Sequence, residues 1–221
     1  MSERLADEYD AIIFDNDGVL VEPTDQDVIV DAVRTAFRSF GVELDRSVAR
    51  QTVEDSTVPI ERARDHGLDP EALWHYRELT VALAQQTHVL DGGKRVYDDV
   101  AALDRLAVPL GVVSNNQHAT IEFLLAHHGL DYFETAYGRQ PTLAGAANRK
   151  PEPHYIERAL ADLDVRDALY VGDSETDVLA AHNAGLDSIF LRREHSADVT
   201  LSVEPTAEMP NLRALVERVT E

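Results

Sequence analysis

The chain has 221 residues, 44% of them hydrophobic, which is enough for one large domain or one domain carrying a smaller one. It lacks cysteine, any run of 18 apolar residues and an apolar leader core, so disulfides, thiolate chemistry and a membrane-spanning segment are not expected and a cytoplasmic protein is. Acids outnumber bases 41 to 20, and a formal charge of −21 spread along the chain argues against nucleic-acid backbones and anionic membranes as partners.

Ala11-Ile12-Ile13-Phe14 has no polar alternation and reads as a buried parallel strand. It runs into Asp15-Asn16-Asp17 and then Gly18, which permits a sharp turn and close approach of a ligand to the backbone. Taken alone, this end is equally a plain Asp/Asn/Gly turn. Thr24 or Asp25 caps a helix over 26–40 with Ile29, Val33, Ala36, Phe37 and Phe40 on one face, stopped by Gly41. Helices follow over 45–52 and 57–66. Asp69-Pro70-Glu71 opens a fourth, with Leu73, Tyr76, Leu79, Thr80 and Leu83 on its face and Trp74 and His75 read with Tyr76 mainly as core. No strand signal falls between 24 and 88, so this is an all-helical block lodged after the first strand.

Asp91-Gly92-Gly93 reads as a hinge, and 94–106 as an amphipathic helix lined by Val96, Val100, Leu103 and Leu106. A buried strand over 108–113 ends in Ser114-Asn115-Asn116, and a helix over 118–128 closes at Gly129. A short strand over 132–137 precedes a loop of about a dozen residues that ends in Arg149-Lys150-Pro151. After a helix to Leu163, a strand over 168–171 runs into Gly172-Asp173-Ser174-Glu175-Thr176-Asp177. A helix over 178–184, a strand over 188–191, an edge strand over 199–203 and a helix over 210–219 complete the chain. Strands alternating with helices mean a parallel sheet covered on both faces, an α/β fold.

Three buried strands thus end in polar groups, and in a parallel sheet these ends share one edge. Converging carboxylates are costly unless a cation joins them, and an all-oxygen set suits Mg²⁺, which characteristically also binds substrate phosphate. Ser114 and Lys150 add a hydroxyl donor and a compact positive charge, both suited to a phosphate. The histidines share no metal-ligand spacing and read as surface or core; Arg192-Arg193 reads as solvated surface.

Asp15-X-Asp17-Gly18-Val19, Ser114-Asn115, Lys150-Pro151 and Gly172-Asp173-Ser174-X-X-Asp177 resemble the four motifs of the haloacid dehalogenase superfamily, in the right order and each at the end of the right element. The helical block resembles the type 1 cap of its phosphoglycolate phosphatase-like members. The resemblance implies a Rossmann-like core over 1–20 and 90–221, a cap over 21–89, Mg²⁺ and an aspartyl-phosphate intermediate. It implies Asp15 as nucleophile and metal ligand, and Asp17 as acid and base with its main-chain carbonyl on the metal. Ser114 and Asn115 would hold the phosphoryl group, Lys150 would bridge phosphate and Asp15, Asp173 would complete the metal site, and Asp177 would support it from outside. A small phosphorylated metabolite is the expected substrate. A phosphomutase of the β-phosphoglucomutase type, a 2-haloacid dehalogenase and a non-catalytic phosphate-responsive module are the alternatives; Asp17 and the cap weigh against the last two. The acidic, lysine-poor composition, with Lys94 and Lys150 the only lysines, also resembles that of extreme halophile proteins.

Overall fold

The computed structural model describes residues 9–220. Six strands, β1 (Ala11–Phe14), β2 (Leu110–Gln117), β3 (Thr135–Arg139), β4 (Ala168–Gly172), β5 (Asp187–Leu191) and β6 (Ala207–Met209), form one sheet in the order β3-β2-β1-β4-β5-β6. All five pairings are parallel. Alternate residues of β1 feed opposite layers: Ile12 and Phe14 join Val112, Leu169 and Val171 in one cluster, while Ala11 and Ile13 join Val113, Ala168 and Tyr170 in the other. A strand buried on both faces has no need of polar alternation, which is why these segments read as continuous apolar runs.

Register then positions the polar ends. Phe14 is level with Val112 on one side and Val171 on the other, so Asp15, Ser114 and Asp173 emerge at one edge of the sheet. Helices α5 (His118–His128), α6 (Leu143–Ala147), α7 (His154–Asp162), α8 (Glu175–Asn183) and α9 (Leu212–Thr220) belong to this α/β body.

Helices α1 (Gln26–Ser39), α2 (Arg46–Glu54), α3 (Ile60–Asp65) and α4 (Pro70–Leu90) form the insertion. They have their own apolar cluster, built on Val30, Val33, Phe37, Ala63, Leu73 and Val81. Its two connections to the body lie side by side, with Glu22 N–H donating to Arg95 O (2.8 Å) and Tyr97 N–H to Leu20 O (3.1 Å).

That pairing overturns the helix expected over 94–106. Residues 95–97 are held extended against 20–22, and only Val100–Arg105 wind into a 3-10 helix. The apolar spacing there serves the core through an extended segment and a tight turn. The face of α4 also differs from expectation. It buries Leu73, Trp74, Arg77, Glu78, Val81, Ala82, Gln85 and Val89, and leaves Tyr76, Leu79 and Leu83 exposed. Counting apolar residues missed this face because three of its members are polar: Glu78 and Gln85 pair across to the sheet body, and Arg77 pairs with Glu78. The loop expected over 138–149 contains α6, capped by the Thr142 hydroxyl on Gly145 N–H. The last strand lies at Ala207–Met209 rather than over 199–203, where Thr200–Val203 carry no strand. Arg193 is no surface residue: it pairs with Asp99 at 2.9 Å and lies over the Tyr97 ring.

Candidate active site

Asp15 leaves β1 with its N–H donating to Val171 O (2.8 Å), which aims the carboxylate across the sheet edge. Lys150 arrives from the loop before α7, and its ammonium is buried among four oxygens. It lies 2.8 Å from Asp15 Oδ1 and donates to Asp177 Oδ1 (2.6 Å), the Tyr170 hydroxyl (2.9 Å) and Val113 O (3.2 Å). The contact with Asp15 Oδ1 is an ion pair without a well-directed hydrogen bond, so that buried oxygen keeps its lone pairs unspent. Asn115 clamps the backbone of Lys150 from both sides, accepting from its N–H (2.8 Å) and donating to its carbonyl (3.1 Å). The Asn115 side chain therefore holds Lys150 in place, and only its main chain is left for a phosphoryl group.

Asp177 is wholly engaged. Its Oδ2 accepts from the N–H groups of Asp173 and Ser174 and from the Ser174 hydroxyl, and Ser174 in turn caps α8. This capping box stiffens the turn that carries Asp173. Gly172 and Gly18 are needed for close approach: a Cβ on Gly172 would lie 2.2 Å from Asp177 Cβ, and one on Gly18 would lie 2.0 Å from Asp173 Oδ2. Asp173 also meets His195 Nε2 at 2.5 Å, a partner that sequence spacing did not single out.

Asp15, Asp173 and Asp177 bring carboxylate oxygens within 4.8 Å of one another. Burial pushes Asp15 up to about 7, with Asp177 and Asp173 adding to the rise and Lys150 opposing it. Burial likewise raises Asp173, against the pull of His195. Crowded, desolvated carboxylates with one oxygen lacking a directed partner lack positive charge, and their all-oxygen chemistry fits a hard divalent cation.

Asp17 does not point into this triad. Its carboxylate accepts from Lys94 Nζ through both oxygens (2.6 and 2.7 Å), from Asn116 Nδ2 (2.7 Å) and from the Thr24 hydroxyl (3.2 Å). Lys94 is fully buried and donates its remaining bond to Thr24 (2.8 Å). Both lysines of the chain are thus spent on the two acids of the first motif. Sequence reasoning missed Lys94 because its neighbours read as helix; its rarity was the available signal. Ser114 is buried beside the acids, its hydroxyl accepting from Asn116 N–H at 3.3 Å.

A cavity of about 220 Å³ opens over these groups, lined by Asp15, Asp17, Ser114 and Asn115 on the sheet side and by Trp74 and Arg77 on the helical side. Trp74 is therefore both a core residue of α4 and a wall of the cavity.

The chain belongs to the haloacid dehalogenase-like hydrolase family, which it matches over residues 12–191. It is 29% identical to a phosphoglycolate phosphatase of Rhodobacter capsulatus over 80% of this chain and 81% of that one. It is also 29% identical to the pyrophosphatase PpaX of Anoxybacillus flavithermus, over 79% of each. The fold is shared with the crystal structure of CbbY from Rhodobacter sphaeroides in complex with phosphate, with a TM-score of 0.68 at 20% identity over 94% of this chain and 96% of that one. Within the family the chain is phosphoglycolate phosphatase-like, an enzyme of the phosphatase class. Among the described residues no helix is long and apolar enough to cross a membrane.

Proposed function

We propose that the protein is a Mg²⁺-dependent phosphatase that hydrolyses a small phosphorylated metabolite through an aspartyl-phosphate on Asp15. The observation that carries this reading is the Lys150–Asp15 ion pair, whose carboxylate oxygen is buried without a directed hydrogen bond while a second acid, Asp17, lines the same cavity. Asp15 and Asp173, with the main-chain carbonyl of Asp17, would hold the metal, and Asp177 supports them from behind. When bound, Mg²⁺ supplies positive charge that offsets the phosphoryl oxygens and the crowded carboxylates.

The chain's own residues then divide the reaction. An Asp15 oxygen forms a bond to phosphorus as the bond to the leaving oxygen breaks, and Asp17 gives that oxygen its proton. Water next attacks phosphorus, Asp17 takes its proton, and phosphate leaves as the bond to Asp15 breaks. Lys150 offsets the charge of the phosphoryl group beside Asp15, and the Ser114 hydroxyl donates to one of its oxygens. Lys94, Asn116 and Thr24 hold Asp17 in the wall of the cavity. Residues 21–89 act as a cap domain on a core of 1–20 and 90–221, moving about the paired connections at 20–22 and 95–97. A cytoplasmic setting fits a soluble metabolite as substrate.

Hydrolysis of p-nitrophenyl phosphate tests the reading. We expect turnover with Mg²⁺, a loss of at least about a thousandfold in excess chelator, recovery on adding Mg²⁺ and poor recovery with Ca²⁺, whose larger and looser shell disturbs in-line geometry. Full activity in excess chelator contradicts it.

A further inference from the structure

Where α4 meets the end of β3, the wall of the cavity carries charge of the opposite sign to the carboxylate cluster. Arg77 of α4 and Arg139 at the end of β3 both pair with Glu78, which is fully buried. Arg139 uses two nitrogens on that carboxylate, at 2.5 and 3.0 Å. Glu78 also accepts from Gln117 Nε2 at 3.3 Å. Two guanidiniums against one carboxylate leave one positive charge unanswered, in a buried cluster of a protein whose formal charge is −21. Arg192–Glu208 and Arg193–Asp99, by contrast, are paired one to one, and where two arginines share Asp27 the cluster is solvent-exposed and Asp31 supplies a second carboxylate.

The arrangement is built rather than incidental. Both guanidiniums lie over the Trp74 ring, at 4.9 and 5.6 Å from its centroid, and the indole is fixed by its N–H donating to Thr142 O at 3.1 Å. Among the described residues Arg77 donates only to Glu78, and its other nitrogens have no partner. Arg77 and Arg139 both line the cavity that holds Asp15 and Asp17. Burial, together with repulsion from Arg139, depresses Arg77 against the support of Glu78. A buried cation in excess is costly unless a ligand supplies the missing anion, and a guanidinium with free nitrogens presents a fork for a carboxylate or phosphoryl group.

We propose that Arg77 and Arg139 anchor a second anionic group of the substrate, a carboxylate or a phosphoryl group, in the cavity that holds Asp15. This rests on the phosphatase reading and narrows its substrate to phosphate esters or anhydrides that bear a further negative charge. Because Arg77 belongs to the insertion and Arg139 to the sheet body, such a ligand also ties the two together over the reacting phosphorus.

Non-hydrolysable phosphonates test this by phosphorus NMR titration with Mg²⁺ present, which reads binding without turnover. Methylphosphonate carries one anionic group, while phosphonoacetate adds a carboxylate and methylenediphosphonate a second phosphoryl group. The wild type is expected to bind at least one of the latter two at least about tenfold more tightly than methylphosphonate, against the repulsion of the protein's overall charge. Arg77→Gln leaves Glu78 paired with Arg139, so the variant keeps a neutral pair and folds, as its melting curve will report; its preference is expected to fall below about threefold. Arg77→Lys, which keeps the charge and loses the fork, is expected between the two. A wild-type ratio near one, or an unchanged ratio in Arg77→Gln, overturns the anchor. If p-nitrophenyl phosphate is still hydrolysed in that case, the phosphatase reading stands without it. A preserved tenfold preference without hydrolysis supports the anchor and removes the phosphatase reading, and binding of none of the three phosphonates removes both.

Discussion

At the sheet edge, Asp15, Asp17, Asp173 and Asp177 face Lys94, Lys150 and His195; where α4 meets the end of β3, two arginines face one glutamate. One group is short of positive charge and the other short of negative charge. The choice of cation differs as well. Each lysine at the sheet edge is a compact charge shared among three or four oxygens converging from different strands and loops. The arginines instead lie over the Trp74 ring, and each is a planar fork, which Arg139 spends on Glu78. A point charge can bridge a carboxylate and a transferring phosphoryl group; a fork suits a fixed, planar or tetrahedral anion. The contrast teaches that charge balance must be counted site by site, since a total of −21 hides a positive wall.

The sharpest way to break this contrast is to put an arginine where the lysine stands. Lys150→Arg keeps the charge but cannot fit a fork among Asp15, Asp177, Tyr170 and Val113 O, so kcat/KM is expected to fall at least about 100-fold, or about 2.7 kcal/mol of transition-state stabilisation. Steady-state kinetics on the folded variant check it, and a loss under about threefold means that lysine and arginine are interchangeable there. A smaller effect is expected at Lys94, which orients Asp17 and does not touch the reacting phosphorus. Lys94→Met should lower kcat about tenfold with little change in KM, since Asn116 and Thr24 still hold the Asp17 carboxylate. An unchanged kcat would show that Asp17 needs no ammonium to be placed. The smallest effect concerns the protein as a whole. Self-repulsion at −21 is screened by salt, so the melting temperature should rise by roughly 5 °C between about 0.1 and about 2 M KCl. A flat or falling curve removes the halophile reading and leaves the site untouched.

The sheet was legible because strands buried on both faces announce themselves as apolar runs, and because Gly129, which stops α5 at φ 66°, and Pro70, which opens α4, punctuate the helices. Asp15, Ser114 and Asp173 were legible for the same reason: each ends such a run, and register brings the three to one edge, whereas Lys150 lies on a loop and its place in the site was legible only through the resemblance. What escaped depends on contacts between segments distant in sequence. Lys94 meets Asp17 across the hinge, 77 residues away, in a segment whose spacing imitates a helix. His195 reaches Asp173 through a turn with no motif of its own. Glu78 and Gln85 look like the solvent side of α4 because their partners, Arg139 and Gln117, lie on the sheet, and Arg77 follows them inward by pairing with Glu78. Helical periodicity reports burial only where the buried face is apolar.

The central claim is that Asp15 carries the phosphoryl group. During turnover of p-nitrophenyl phosphate with Mg²⁺, quenching in acid and trapping with hydroxylamine, followed by peptide mass spectrometry, should find a single hydroxamate at Asp15, and Asp15→Asn should give neither adduct nor turnover. An adduct at another residue, or turnover of Asp15→Asn within about tenfold of wild type, would contradict the account.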